Sequence, residues 1–469
     1  MSHNIVLVLA LLWVNVCIGQ VQNVTVVADE NGAHLEVGGN PYFVRGMNWG
    51  YMPIGQNYSY DLWSKSDAFI ETVLHREMKQ LQRLGVNAIR LFSDVPPQWV
   101  EWMYTNYGIR VALNHLMGRY GFNVDGVWVS NIDYANPAHR KAILSSLETT
   151  VKRYANTRGV LMWLLGNENN YGLHWTSFEI EPLPGQEDVV RAKPLYTLFE
   201  AAAKIIKAND SKRPVSLTNG DLQYLEIIVA NCPSVDIFGS NVYRGPNARD
   251  FYARIWKAYK KPAMFTEFGS DAFNAKTGKE DALMQAQMLE RQWHDIYVNT
   301  HSVGGSRNAI GGFVFQWSDG WWKYKQEENL DVHDTNASWP NGGYPDFVEG
   351  HNNMNEEWFG IHSKSRSDSE GHYTLYPRTA YFTLQHIWTL DPYTAGISKA
   401  KVDSHFAELN IEQVDARYTT VLNQNRIERI EALRMSEFLL KTSSNFAAKN
   451  KAAGGNKGSR FEAVGLRVA

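Results

Sequence analysis

Eight short runs that are apolar throughout, separated by longer amphipathic segments, constrain the fold of this chain more than any other feature. The runs are Tyr42–Met47, Val86–Phe92, Ile109–Asn114, Val160–Leu165, Pro214–Thr218, Val235–Gly239, Ala263–Thr266 and Gly312–Trp317. The segments between them, such as Ile70–Leu84, His139–Tyr154, Leu195–Ala208, Phe251–Tyr259 and Asp281–Tyr297, space their apolar residues as helices do. A strand with one wet face alternates apolar and polar residues. A continuous apolar run suits a parallel strand covered on both faces. Eight such strands with helices between them predict an α/β chain folded as a (β/α)8 TIM barrel. A doubly wound open sheet is the alternative, but it calls for a Gly-rich phosphate turn after an early strand, and none is seen.

The flanks read differently. Ile5–Val14 is an apolar run too short for a comfortable membrane span, and Cys17-Ile-Gly19 supplies small residues before Gln20. Residues 1–19 therefore read as a secretory signal peptide, and the mature protein is expected outside the cell, or in the periplasm of a bacterium. Residues 23–46 read as a β-hairpin with turns at Asp29-Glu-Asn-Gly32 and Gly38-Gly-Asn-Pro41, enough for a lid. The barrel domain is expected over residues 20–395, with a C-terminal helical extension and a Gly/Lys/Ser-rich tail over 396–469. A long insertion, residues 319–362, comes after the eighth run and is rich in Trp, Asn, Gly and Asp. A loop of that length in a compact domain is usually functional or disordered, and its aromatics favour function.

Composition removes several classes of function. A chain of 469 residues with 44% hydrophobic residues needs no disulfide scaffold. Of its two cysteines, Cys17 leaves with the leader, so Cys232 is left without a partner and is expected to be a packed thiol. A formal net charge of −3 argues against a nucleic-acid binder. No later stretch is apolar enough to insert stably in a membrane. Asn23, Asn57, Asn209 and Asn336 head glycosylation sequons. Sixteen Trp and 23 Tyr are many, and large flat rings on a surface call for something to stack on, sugar rings included; a Trp-rich core is the plainer reading.

In a barrel the C-terminal ends of the strands face the active site. The second run ends on Arg90, the fourth on Gly166-Asn167-Glu168-Asn169-Asn170, and the sixth leads into Asn241-Val-Tyr243-Arg244. The seventh ends on Thr266-Glu267-Phe268-Gly269 and the eighth on Gln316-Trp317-Ser318-Asp319. Glu168 and Glu267 thus converge on one face. Glycosidic cleavage requires such a pair, one carboxyl to protonate the leaving oxygen and one to attack the anomeric carbon or activate water. Either Glu alone would more often be a surface or salt-bridged residue. The constellation is what carries the reading. The cost of ionising two nearby carboxyls raises the pKa of one of them, which readies it as the acid.

The segments Tyr42-Phe-Val-Arg-Gly-Met-Asn48, Asn87-Ala-Ile-Arg90, Leu164-Leu-Gly-Asn-Glu168, Phe265-Thr-Glu-Phe-Gly269 and Gly311-Gly-Phe-Val-Phe-Gln-Trp-Ser-Asp319 resemble a known family. The chain is similar, over about residues 40–390, to the clan of retaining β-glycosidases on (β/α)8 barrels. Within it the likeness is to the catalytic barrel of the β-galactosidase, β-glucuronidase and β-mannosidase group, glycoside hydrolase family 2. The resemblance implies that Glu168 is the acid/base, Glu267 the nucleophile and Asn167 the group that bonds the sugar 2-hydroxyl. It implies that Tyr243 and Arg90 hold and polarise the nucleophile, and that Trp317 is the aromatic floor of the cleaved-sugar subsite. Asn48, standing where the group has a histidine motif, and Trp175, at the rim, complete the expected substrate contacts. Asp319 either touches a substrate hydroxyl or anchors its loop. That group carries β-sandwich domains before its barrel, here replaced by a hairpin, and Asn169 after the Asn-Glu pair is unusual for it; both bear on sugar specificity.

The expected activity is a secreted retaining β-glycoside hydrolase acting on a β-linked oligo- or polysaccharide, with no cofactor. A β-glucan transglycosylase on the same carboxylates and a non-catalytic carbohydrate-binding barrel are the alternatives. Asp331-Val-His-Asp334, with His115 and His174, matches no standard zinc or calcium spacing, so no metal is expected.

Overall fold

A computed structural model describes residues 20–92, 94–173, 188–323, 326, 328–417 and 419. The expected leader and most of the tail lie outside these residues. The chain divides into units 1–412 and 413–469, and the barrel lies in the first.

Three antiparallel strands come first: β1 (Val24–Asp29), β2 (Gly32–Val37) and β3 (Asn40–Tyr42). The barrel begins with β4 (Val44–Asn48) and α1 (Asp67–Leu84), then β5 (Ala88–Leu91) and α2 (Pro97–Tyr107). Next comes β6 (Arg110–His115), then a hairpin of β7 (Phe122–Val124) and β8 (Val127–Val129), then α3 (Pro137–Tyr154). The pattern continues through β9 (Val160–Leu165), α4 (Asp188–Asn209), β10 (Val215–Gly220), α5 (Leu225–Asn231), β11 (Ile237–Asn241) and α6 (Phe251–Tyr259). It closes with β12 (Ala263–Phe268), a small hairpin of β13 (Phe273–Asn274) and β14 (Lys279–Glu280), α7 (Ala282–Val298), β15 (Ala309–Val314) and α8 (Thr379–Ile387). A last helix, α9, spans Lys399–Ala407.

Strands β4, β5, β6, β9, β10, β11, β12 and β15 pair in parallel, and β15 returns to β4, so the barrel is closed. All eight lie within the apolar runs or overlap them by a few residues. The physical reason is visible in β9, β10, β12 and β15, where every residue is buried. Helix boundaries reflect local chemistry. The α1 N-cap Ser66 accepts from the Phe69 amide, and Gly85 ends the helix in the left-handed conformation at φ 96°. Ile70, Val73, Leu74, Met78 and Leu81 form the face that packs on the strands.

Two apolar layers result. One lies between strands and helices. The other fills the barrel itself, with Val44, Ala88, Ala112, Leu161, Met162, Leu164, Ile237, Met264, Ile310 and Phe313. Val24, Leu35 and Val37 of the N-terminal sheet belong to this inner cluster. The Val24 amide donates to Lys212 and the Ala33 amide to Arg307, both just before barrel strands. The sheet therefore plugs the N-terminal mouth of the barrel, and the lid expected from sequence stands at the end opposite the catalytic face. Gly32 permits the close approach: at φ 139°, a Cβ there would lie 2.2 Å from the Arg307 carbonyl oxygen. Cys232 is fully buried and its thiol donates to the Tyr196 carbonyl. Among the described residues, no helix is long and apolar enough to cross a membrane.

Candidate active site

Strand ends bring the polar residues together at the C-terminal mouth. Arg90, near the end of β5, is completely buried, and its guanidinium reaches groups from four other strand ends, Asn48 Oδ1 of β4 among them at 3.4 Å. Its Nη1 donates to Glu267 Oε1 at 2.8 Å and to the Thr266 carbonyl at 3.1 Å. Its Nη2 donates to Asn167 Oδ1 at 2.9 Å and its Nε to Asn114 Oδ1 at 2.9 Å. The buried guanidinium pairs with the Glu267 carboxylate and fixes its plane. The Tyr243 hydroxyl donates to the other oxygen, Oε2, at 3.3 Å.

Glu168 comes after β9 with a left-handed backbone at φ 53°. Its amide donates to the Thr218 carbonyl at 2.9 Å, which pins the turn. No arginine is paired with its carboxyl among the described residues; Oε1 accepts from Asn241 Nδ2 at 3.0 Å. Burial first, and the negative charge of Glu267 second, push its pKa up to about 7, against a smaller pull downward from Arg119. Two carboxyls on one mouth are thus set apart: one locked to an arginine, one held where a proton is shared at neutral pH.

Asn241 joins them. Its Nδ2 also reaches Asn167 Oδ1 at 3.2 Å, and its Oδ1 accepts from the Thr266 hydroxyl at 2.7 Å, which fixes the amide orientation. Because Asn241 donates to the ionised form of Glu168, Asn241→Ala is expected to raise the Glu168 pKa further. The alkaline limb of the pH–rate profile should then move to higher pH; an unmoved or lowered limb would show that this bond does not tune the acid.

The residues expected from sequence divide into two groups. Arg90, Asn167, Glu168, Tyr243 and Glu267 share one hydrogen-bonded network, completed through Asn241. Three residues expected to touch substrate sit behind it. Asn48 is buried, its Nδ2 donating to the carbonyls of Thr266, Phe313 and Val314 and its Oδ1 accepting from Arg90 Nη1 at 3.4 Å, so it braces strand ends and the guanidinium rather than facing a substrate. Trp317 is fully buried, with its indole N–H on Glu77 of α1 at 3.1 Å and its ring 4.1 Å from His362; it offers no face to a sugar. Asp319 is buried and accepts from both terminal nitrogens of Arg378 at 2.7 and 2.8 Å, so it anchors its loop. Trp175 and His174 lie outside the described residues.

Other groups at the mouth escaped sequence reasoning. The Tyr120 hydroxyl accepts from Asn167 Nδ2 at 2.9 Å. Arg119 beside it is buried, and its Nε and Nη1 have no hydrogen-bond partner among the described residues. The insertion folds back over the site. Asn341 donates to the Tyr243 carbonyl at 2.7 Å, Trp339 meets the Tyr243 ring edge-on at 5.6 Å, and the Trp339 indole donates to Glu356 at 3.0 Å. Lys323 Nζ lies 4.8 Å from the Phe315 ring, and burial lowers its pKa against the attraction of Glu356 and Glu267. His333 is sandwiched between Trp321 and Trp358 at 4.6 and 3.8 Å, a packing role for that histidine. For the groups of residues 319–362 the signal was the Trp- and Asn-rich insertion itself, which does not say which side chain turns inward; Tyr120 and Arg119, between β6 and β7, carried none. Among the described residues, only His386, His405 and Glu408 cluster at metal-ligand spacing. They belong to α8 and the end of α9 rather than to strand ends, and each imidazole Nε2 faces a carbonyl of the other helix, which accounts for them without an ion.

Comparison with known proteins bears on this geometry. A model of the family described as glycosyl hydrolases family 2, TIM barrel domain, matches residues 64–330, more than half of the chain. A β-galactosidase of Actinobacillus pleuropneumoniae is 23% identical over 279 residues, 52% of this chain and 22% of that protein. A β-galactosidase of Arthrobacter sp. (strain B7) is 32% identical over 105 residues, 22% of this chain and 10% of that protein. The chain thus spans less than a quarter of the length of these relatives. Among solved structures, Bacteroides uniformis β-glucuronidase 2 superposes with a TM-score of 0.50 at 15% identity, covering 78% of this chain and 37% of that one, a likeness of fold.

Proposed function

The chain belongs to glycosyl hydrolase family 2 through its TIM barrel domain, and from that premise we propose that it is a retaining β-glycoside hydrolase working by double displacement. The observation that carries the reading is the asymmetry of the carboxyl pair: Glu267 is ion-paired to buried Arg90 at 2.8 Å, while Glu168, half-buried beside it, has its pKa pushed up to about 7. An ionised carboxylate attacks; a protonated one donates.

In the first step Glu267 bonds to the anomeric carbon, the bond to the leaving oxygen breaks, and that oxygen takes the proton of Glu168. The ester at Glu267 no longer carries a charge. The repulsion that helped raise the Glu168 pKa is gone, so Glu168 stays ionised through the second step and is ready to accept a proton. Water then attacks the anomeric carbon, gives its proton to Glu168 and frees Glu267. Asn167, with Oδ1 committed to Arg90 and Asn241, is placed to present its amide to the sugar 2-hydroxyl.

The test is the stereochemistry of the first product. A panel of p-nitrophenyl β-glycosides, β-galactoside and β-glucuronide among them, monitored by proton NMR in the first minutes, should show the β-anomer forming first. An α-anomer would overturn the double displacement, and no turnover of any β-glycoside would overturn the hydrolase reading. Longer products from oligosaccharides would show a sugar hydroxyl outcompeting water for the same intermediate.

A further inference from the structure

The β7–β8 hairpin carries the two most exposed large apolar side chains among the described residues, Val127 at 66% and Trp128 at 63%. An indole left in water at such a place is unfavourable unless something covers it. Its mounting is specific. The ring lies against the backbone of Gly121: a Cβ at that glycine would stand 2.5 Å from Trp128 Cζ2 and 2.9 Å from Cε2. Gly121, at φ 96°, thus makes room for the indole, which has one side supported and the other open. Among the described residues no other ring packs on it and its N–H has no hydrogen-bond partner. The hairpin is held at its base, where Phe122 packs 6.3 Å from His115 at the end of β6, and its tight Asp125-Gly126 turn is closed by the Asn123 side chain.

The position is as telling as the mounting. The hairpin belongs to the connection from β6 to α3, on the catalytic face of the barrel. Gly121 directly succeeds Tyr120, whose hydroxyl meets Asn167 of the carboxyl network at 2.9 Å. One short segment therefore touches the reacting end of the site with one residue and backs an open indole with the next.

We propose that Trp128 is a stacking platform for a sugar unit remote from the cleaved bond, so that the site takes a linear β-linked glycan rather than a monosaccharide glycoside alone. The apolar face of a pyranose covers the open side of the indole, and its hydroxyls remain in water around the rim. The inference rests on the hydrolase reading above and extends it to substrate length.

The experiment compares Trp128→Ala and Trp128→Phe with the wild type on two substrates. One is the best p-nitrophenyl β-glycoside of the panel. The other is the fastest-cleaved member of a tetrasaccharide set made of β-1,3-glucan, β-1,4-glucan, β-1,4-galactan, β-1,4-mannan and β-1,4-xylan. For Trp128→Ala, KM for the tetrasaccharide should rise about tenfold, as the loss of one stacking contact implies, with kcat nearly unchanged. Both constants for the aryl glycoside should stay within about twofold of wild type, and Trp128→Phe should recover most of the tetrasaccharide KM. A variant that treats both substrates as the wild type does overturns the platform, as does an enzyme active on the aryl glycoside that cleaves none of the tetrasaccharides. Failure on every β-glycoside, aryl and oligomeric, would instead overturn the hydrolase reading.

Discussion

Glu267→Gln is expected to lower kcat/KM by about 10⁴-fold or more while the barrel remains folded, because no second group can take over attack on the anomeric carbon. The variant is a demanding one. Arg90 is completely buried, and loss of its anionic partner leaves a cation in a dry site, at a cost of roughly 3–5 kcal/mol. That cost is softened here because the guanidinium keeps Asn114, Asn167 and the Thr266 carbonyl, and because the glutamine oxygen can still accept from Nη1. A lowered melting temperature with unchanged far-UV circular dichroism should accompany the loss of rate. A second measurement separates catalysis from stability. A 2-fluoro-β-glycoside with a good leaving group, given to the wild type, should label one residue, and peptide mass spectrometry should place the label on Glu267. A variant keeping a tenth of the rate, or a label elsewhere, would remove Glu267 from the nucleophile's role.

The parts of this site that were legible in the sequence are those whose position is set by strand phase alone. Arg90, Asn167, Glu168 and Glu267 end apolar runs or stand just after them, and in a closed parallel barrel the end of a run is also a place on the catalytic mouth. Burial on both faces makes those runs continuous, so their ends could be read. Depth could not. Trp317 stands after the eighth strand as a subsite floor would, yet Glu77 of α1, 240 residues away in the chain, takes its indole N–H and draws the ring into the core. Asp319 is drawn inward in the same way, since its partner Arg378 lies 59 residues on. Such long-range pairings leave no periodicity behind. Trp128 is the opposite case: nothing in the sequence around it singles it out, and only the glycine under the ring shows that one side is left open.

Glu168→Gln should separate substrates by their need for a proton. A glycoside of a strongly acidic phenol, such as 2,4-dinitrophenol, leaves without help, so its kcat/KM for the first step should stay within about tenfold of wild type, whereas an alkyl glycoside or disaccharide should lose about 10²–10⁴-fold, the range of general acid catalysis. The pH dependence gives an independent sign. The acid works protonated. With its pKa raised to about 7 by burial and by the Glu267 charge, the wild type should hold its rate on a poor leaving group below that pH and lose it as pH climbs through about 7. In the glutamine variant this limb should be absent, because the group that titrates is gone. Glu267 remains bound to Arg90 in both proteins, so a limb that persists unchanged in Glu168→Gln must belong to another group, and the acid would have to be sought elsewhere on the mouth. Equal losses on activated and unactivated leaving groups would point the same way, since only a proton donor distinguishes between them.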